Sequence, residues 1–223
     1  MGYKRLLLVE GKDDLHVISH LLSRYKIQCA EAKSTEIDDS HTIFIKITEG
    51  ISSLLDNLSI LLDDGDLEFL AIVVDADVNI HSRWDAVSNI LVNSGSVKLP
   101  KTPSENGTVV AIEQVGRTLT VGVWLMPNNK LPGILEDFVQ FLVPNDNKLL
   151  VYAKHCVANI SLEDICFPEE RRSKAEIHTW LAWQEHPGKP LGLAIRSRFL
   201  DAEAPQGKIF VSWIRRVFGS TKT

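Results

Sequence analysis

Short aliphatic and β-branched runs alternate with stripes of helical period along the first two thirds of the chain. Tyr3 to Glu10 (YKRLLLVE), bounded by charge and by Gly11, predicts a buried strand. Asp13 and Asp14 can open the following helix, whose Leu15, Val17, Ile18, Leu21 and Leu22 form an apolar stripe. Ile43–Ile47 (IFIKI) predicts a second strand, and Gly50–Leu62 a helix with Ile51, Leu54, Leu55, Leu58 and Leu62 on one side. Phe69–Asp75 (FLAIVVD) is the clearest buried strand and leads through Asp77 and Asn79 to a helix near 83–92.

Gly95–Gly107, with Pro100 and Pro103, predicts a loop; Thr108–Ile112 and Leu119–Met126 predict two strands joined around Gly116. A turn-rich loop over 127–133 then precedes a helix over 134–143. Beyond Lys148 helical patterns dominate, interrupted by Phe167-Pro168, Pro187–Pro190 and Pro205–Gly207. This order predicts an α/β fold, a mostly parallel, Rossmann-like sheet flanked by helices with a mainly helical C-terminal part. We expect a core over 1–145 and a helical extension over 146–223 packed on it, or the two as one domain.

Composition narrows the picture modestly. The chain has 223 residues, 44% hydrophobic and 24% charged, which excludes wholesale disorder. No apolar run reaches the ~20 residues of a membrane-spanning helix, and the N-terminal run is too short for a signal peptide. Cys29, Cys156 and Cys166 have no zinc-like spacing and read as reduced thiols. A cytoplasmic protein without membrane contact is the expectation. Residues 1–145 carry 12 basic and 20 acidic residues, and 146–223 carry 12 and 9, an asymmetry too small to mark a nucleic-acid surface by itself.

The position of the acids matters more than their number. In a parallel sheet, ligands gather beyond the carboxyl ends of the strands. Glu10 closes the first predicted strand and Asp75 a later one, with Asp77 two residues on and so on the same side of an extended chain. Carboxylates held together raise one another's pKa unless cations offset them. Oxygen-rich clusters of this kind suit Mg²⁺ or Mn²⁺.

Val9-Glu10-Gly11-Lys12-Asp13-Asp14 after an apolar strand, followed by Val73-Val74-Asp75-Ala76-Asp77, resembles the Toprim domain. That module is shared by topoisomerases, bacterial primases, the 5S ribosomal RNA maturase and the OLD-family nucleases. The layout is most similar to a small uncharacterised prokaryotic Toprim-like family, with counterparts of Trp124–Asn128, Pro132–Asp137 and Lys174–Trp183. The resemblance implies that Glu10 is a metal ligand or general acid–base residue and that Asp75 and Asp77 bind the metal. By likeness to OLD nucleases, Asp14, Glu136 and Asp137 could join a second metal and Lys174 could add catalytic positive charge. Many Toprim domains place a glycine shortly after the Asp-x-Asp, whereas here the chain runs Val78-Asn79-Ile80.

Simpler roles compete at several positions. Asp14, Glu136 and Asp137 stand in predicted first turns, where the helix dipole favours acids, and Asp13 suits a cap. Arg171, Arg172 and Lys174 could meet phosphate or pair with Glu169, Glu170 and Glu176. Trp180 and Trp183 fit core packing better than base stacking. His16 and His20, four apart, lack a third ligand, nothing requires His81 or His178 as proton shuttles, and Asn128 and Asn129 suit the turn before Gly133.

The expected activity is a divalent-metal-dependent phosphodiester hydrolase, a nuclease acting on DNA or RNA, with a protein partner in a larger system as a further option. The alternatives are a non-catalytic Toprim-like binding or regulatory module and a metal-dependent phosphatase. No Gly-x-x-x-x-Gly-Lys motif is present to supply an ATPase module.

Overall fold

The structure, a computed structural model, describes residues 2–32 and 41–219. The chain runs through β1 (Arg5–Val9), α1 (Lys12–Arg24), β2 (Cys29–Glu31), β3 (Ile43–Ile47), α2 (Ile51–Leu62), β4 (Phe69–Asp75) and α3 (Ile80–Asn93). It continues through β5 (Thr108–Gln114), β6 (Arg117–Met126), α4 (Leu135–Gln140), α5 (Lys148–Ala158), α6 (Arg172–Ala182), α7 (Leu191–Arg196) and α8 (Pro205–Phe218). The strands form one sheet in the order β2-β3-β1-β4-β6-β5, all parallel except β5, which is antiparallel to β6. This is the expected α/β architecture, a mostly parallel sheet flanked by helices with a helical C-terminal part.

Strand alternation sorts the core into two layers. Leu7 and Val9 of β1, Ala71 and Val73 of β4, and Trp124 and Met126 of β6 face α1 and the C-terminal helices. Leu6, Leu8, Leu70, Ile72 and Val74 face the other way, toward α2 and α3. Both faces being covered explains why β1 and β4 read as continuous apolar runs rather than alternating ones.

The C-terminal helices share the first layer. Trp180 of α6, Ile195 of α7 and Phe210 of α8 belong to the same apolar cluster as β1 and β4. Helix α8 lies flush on β6 because Gly122 has no side chain: a Cβ there would stand 2.2 Å from Val217 Cγ2. Trp213 of α8 then stacks beside Trp124 with ring centroids 5.5 Å apart, and its indole N–H donates to Thr108 O at 3.0 Å.

Several predicted elements differ in extent. β2 is a three-residue strand, Cys-Ala-Glu, with no apolar periodicity to announce it. The helix expected over 134–143 is shorter, Leu135–Gln140, and α3 begins three residues before Arg83. Trp180 is fully buried as expected, whereas Trp183 follows the end of α6 and is 41% exposed.

Topology fixes where a ligand can sit. The chain leaves β1 through α1 toward β2 and β3, and leaves β4 through α3 toward the hairpin of β5 and β6. The sheet therefore reverses its winding between β1 and β4, and a crevice opens at their carboxyl ends.

Candidate functional site

Glu10 and Asp75 emerge side by side at this reversal. The Asp75 backbone N–H donates to Glu10 Oε1 at 2.9 Å, joining the ends of β1 and β4. Asp14 comes from the first turn of α1, where its Oδ2 accepts from the Gly11 N–H at 3.0 Å. This bond closes the start of the helix, so Asp14 rather than Asp13 does the capping, and Asp13 is exposed. Glu136, in the first turn of α4, is only 4% exposed. Lys174 of α6 reaches it with Nζ–Oε1 2.7 Å.

Glu10, Asp14, Asp75, Glu136 and Lys174 line one cavity of about 270 Å³, together with Gly11, Lys12, Asp13 and Leu135. Glu10, Asp14, Asp75 and Glu136 thus converge from four segments of chain, with Lys174 paired to Glu136 and the exposed Lys12 and Asp13 at the edge. Burial pushes the Asp75 carboxyl well above the ordinary carboxylate range, and Asp14, Glu10, Glu136 and Asp77 push it further. Asp14 rises to about 7 through burial and the charges of Glu10 and Glu136. Burial also raises Glu10, opposed by the bond from the Asp75 N–H and by the charge of Arg83. For Lys174 burial acts downward, but the hydrogen bond and charge of Glu136 outweigh it and the pKa is raised.

Asp77 and Asp137 stand apart from this group. Asp77 has a left-handed backbone, φ 50°, and a pair of backbone hydrogen bonds, 2.9 and 2.7 Å, ties it to Gly133. Its side chain pairs with Arg83 of α3 instead of joining Asp75. The expectation that Asp75 and Asp77 share a side holds for extended chain; here the chain turns at Ala76–Asp77 and the two diverge. Asp137 closes the start of α4, where its Oδ2 accepts from Ile134 N–H at 2.9 Å and Ser173 Oγ at 3.1 Å. Both line a neighbouring groove of about 510 Å³, beside Gln140, Lys154, Arg172 and Glu176.

The oxygen donors suit a hard divalent cation. One observation points the same way: Asp75 Oδ1 is enclosed and has no hydrogen-bond partner, a costly state for a carboxylate that a cation would relieve. As the side chains stand, no group of three His, Cys, Asp or Glu among the described residues is arranged to hold a metal ion. Lys174 holds Glu136 and Arg83 holds Asp77, so these two acids must change partner for a cation to gather more than the ligands around Asp75.

The remaining candidates have structural work. Arg172 makes a two-pronged pair with Glu169, both bonds 2.6 Å. Two other basic residues, near the end of α8, are also engaged: Arg216 donates to Gly107 O at 3.0 Å, and Arg215 lies over the Tyr25 ring. Asn128 and Asn129 brace the 127–133 turn, Asn129 Oδ1 accepting from Leu125 N–H at 2.8 Å. Asn79, where the resemblance would put glycine nearby, caps α3 through His81 and Ser82 N–H. His81 and His178 are exposed. His16 packs where α1 meets Gly192 of α7, and the lowered pKa of His20 follows from burial, then His16 and Arg196.

Arg83 is the site residue that the sequence pattern did not single out. Its only signal is a base in the first turns of the helix that follows the Asp-x-Asp strand, a place where the dipole disfavours cations.

Comparison with known proteins yields one match. No curated protein and no solved structure matches the chain. A family model described as "Protein of unknown function (DUF3226)" matches residues 4–219. The match takes in both strand-end acids, the α4 and α6 residues of the cavity, and the helical C-terminal part, and the chain belongs to this family.

Proposed function

We propose that the chain is a divalent-metal-dependent phosphodiester hydrolase acting on DNA or RNA, with Asp14, Asp75 and Glu136 holding Mg²⁺ or Mn²⁺ and Glu10 as the general base. The observation that carries this reading is the convergence of four carboxylates at the β1–β4 reversal, with an enclosed and unpartnered Asp75 oxygen. The Toprim-like motif around Glu10 and Asp75 supports it independently.

A bound divalent ion supplies Lewis acidity and lowers the pKa of a coordinated water. Within the chain, Asp75 and Asp14 contribute charge fixed to rigid element ends. Glu10 keeps Oε1 on the Asp75 N–H, which orients the carboxylate while it takes a proton from the attacking water. Water adds to phosphorus, the bond from phosphorus to the leaving oxygen breaks, and Lys174 stabilises the added negative charge at the phosphate.

A second reading, a Toprim-like module that binds without catalysis, is favoured by one feature. The groove beside the cavity is lined by Asp77, Asp137, Glu169, Glu170 and Glu176 against only Lys154 and Arg172. Such a surface offers a polyphosphate chain little attraction. Cleavage of plasmid and single-stranded DNA and of RNA, with Mg²⁺ or Mn²⁺, tests the two. The hydrolase reading expects Asp75→Asn to cost about 100-fold or more in rate; equal cleavage by wild type and variant would sink it. Turnover of a phosphomonoester alone would point to a phosphatase.

A further inference from the structure

We propose that Arg83 is the built-in counter-ion of this site and sets its cation affinity: it holds Asp77 away from Glu10 and Asp75, and a divalent cation displaces it to recruit Asp77. The inference rests on the metal-site reading above.

Three features of the pair support it. First, Asp77 follows Asp75 by two residues, yet it lines the groove and not the cavity: the chain turns at Ala76–Asp77, and its side chain there pairs with Arg83. Second, the two partners are anchored very differently. The Arg83 side chain is 14% exposed and that of Asp77 is 49% exposed. The Arg83 side chain is the more enclosed of the two and the Asp77 carboxylate lies in the groove, so the acid is the half with room to move.

Third, Arg83 Nε is enclosed and without a hydrogen-bond partner. A desolvated guanidinium with a spare donor is retained for its charge rather than for a satisfied hydrogen-bond set. That charge reaches the cluster, since Arg83 also acts on Glu10. One positive charge inside the protein thus offsets part of the acidic cluster until a doubly charged ion competes for the same carboxylates.

Tethering sharpens the picture. The paired hydrogen bonds between Asp77 and Gly133 fix the backbone, so recruitment falls to the Asp77 side chain. Asp77 already holds the left-handed φ of 50°, a conformation that aspartate tolerates better than most residues.

The test is calorimetric titration of Mn²⁺ into the full chain as wild type, Arg83→Gln, Arg83→Lys, Asp77→Asn and the Arg83→Gln, Asp77→Asn double variant. Arg83→Gln is expected to bind Mn²⁺ about tenfold more tightly, while Arg83→Lys stays near wild type. In the Asp77→Asn background the same change is expected to gain clearly less than in wild type, because only the direct effect of the Arg83 charge on Glu10 is then left. Arg83→Met, which keeps the buried stem, gives the same comparison should Arg83→Gln fail to fold.

Wild-type binding that Arg83→Gln leaves unchanged or weakens would overturn the counter-ion role and leave the metal site standing. A gain that persists fully without Asp77 would overturn the link to that carboxylate. Absence of Mn²⁺ binding in every variant would overturn both this inference and the reading on which it rests.

Discussion

The Asp75 backbone N–H donates to the Glu10 carboxylate at 2.9 Å, a bond made between the ends of the two central strands. It does two things at once. It orients Glu10, and it places that carboxylate against Asp75, whose own Oδ1 is enclosed without a partner. Assembly of the sheet therefore concentrates negative charge at its winding reversal, and the predictions below follow from that charge.

Removing one acid is expected to stabilise the cation-free protein. Burial and four neighbouring acids raise the Asp75 pKa, so its ionised form is disfavoured in the folded state. Asp75→Asn should raise unfolding free energy at pH 8 in chelator by about 1–2 kcal/mol. Urea unfolding checks this, and a destabilised variant would show that the carboxyl is better satisfied than its surroundings indicate.

Stability should fall with rising pH. Asp14 titrates near 3.8 in the unfolded chain and about 7 in the folded one. Below 3.8 both states hold the proton; between 3.8 and about 7 only the folded state does. Since the unfolded state then binds fewer protons, stability declines across this window and levels off above it. Glu10 and Asp75 are shifted in the same direction. Urea midpoints in chelator at pH 5 and pH 8 should show the decline, Asp14→Asn should flatten it, and Mn²⁺ should reverse it at pH 8.

Lys174 should matter through Glu136. Lys174→Gln leaves a carboxylate that is 4% exposed without its cation. Because Lys174 is itself half-exposed, the expected loss is about 1–2 kcal/mol rather than that of a fully buried pair. Adding Glu136→Gln should recover most of it, and a double-mutant cycle by thermal unfolding reads the coupling.

Close packing of α7 on α1 should control the position of Asp14. A Cβ on Gly192 would stand 2.5 Å from His16 Cβ and 2.9 Å from the His16 backbone. Gly192→Ala should therefore cost about 1–3 kcal/mol and weaken Mn²⁺ binding by shifting the first turn of α1. Gly65→Ala, with nothing within 4 Å of the added atom, is the neutral control.

How far the site was legible in the sequence depends on the kind of information each residue needs. Glu10 and Asp75 follow apolar runs that must be buried strands, and strand ends in a parallel sheet have only one place to gather. Glu136 and Asp137 are both candidates by likeness to OLD nucleases, and both are first-turn acids. What separates them is about 100° of helical rotation, which turns Glu136 into the cavity and leaves Asp137 to cap its own helix. Asp77 looked like the twin of Asp75 under a strict period of two, and a left-handed residue at the strand exit breaks that period. The pairing of Arg83 with Asp77 depends on how α3 folds back, which no local pattern carries. β2 stayed hidden because three residues at the sheet's edge need no apolar run.

The most direct test is Mn²⁺ titration of wild type and Asp75→Asn, with nucleic-acid cleavage measured on the same samples. The account predicts that wild type binds and cleaves and that the variant, folded and at least as stable in chelator, does neither. Cleavage retained by Asp75→Asn, or wild type that binds no cation, would contradict it.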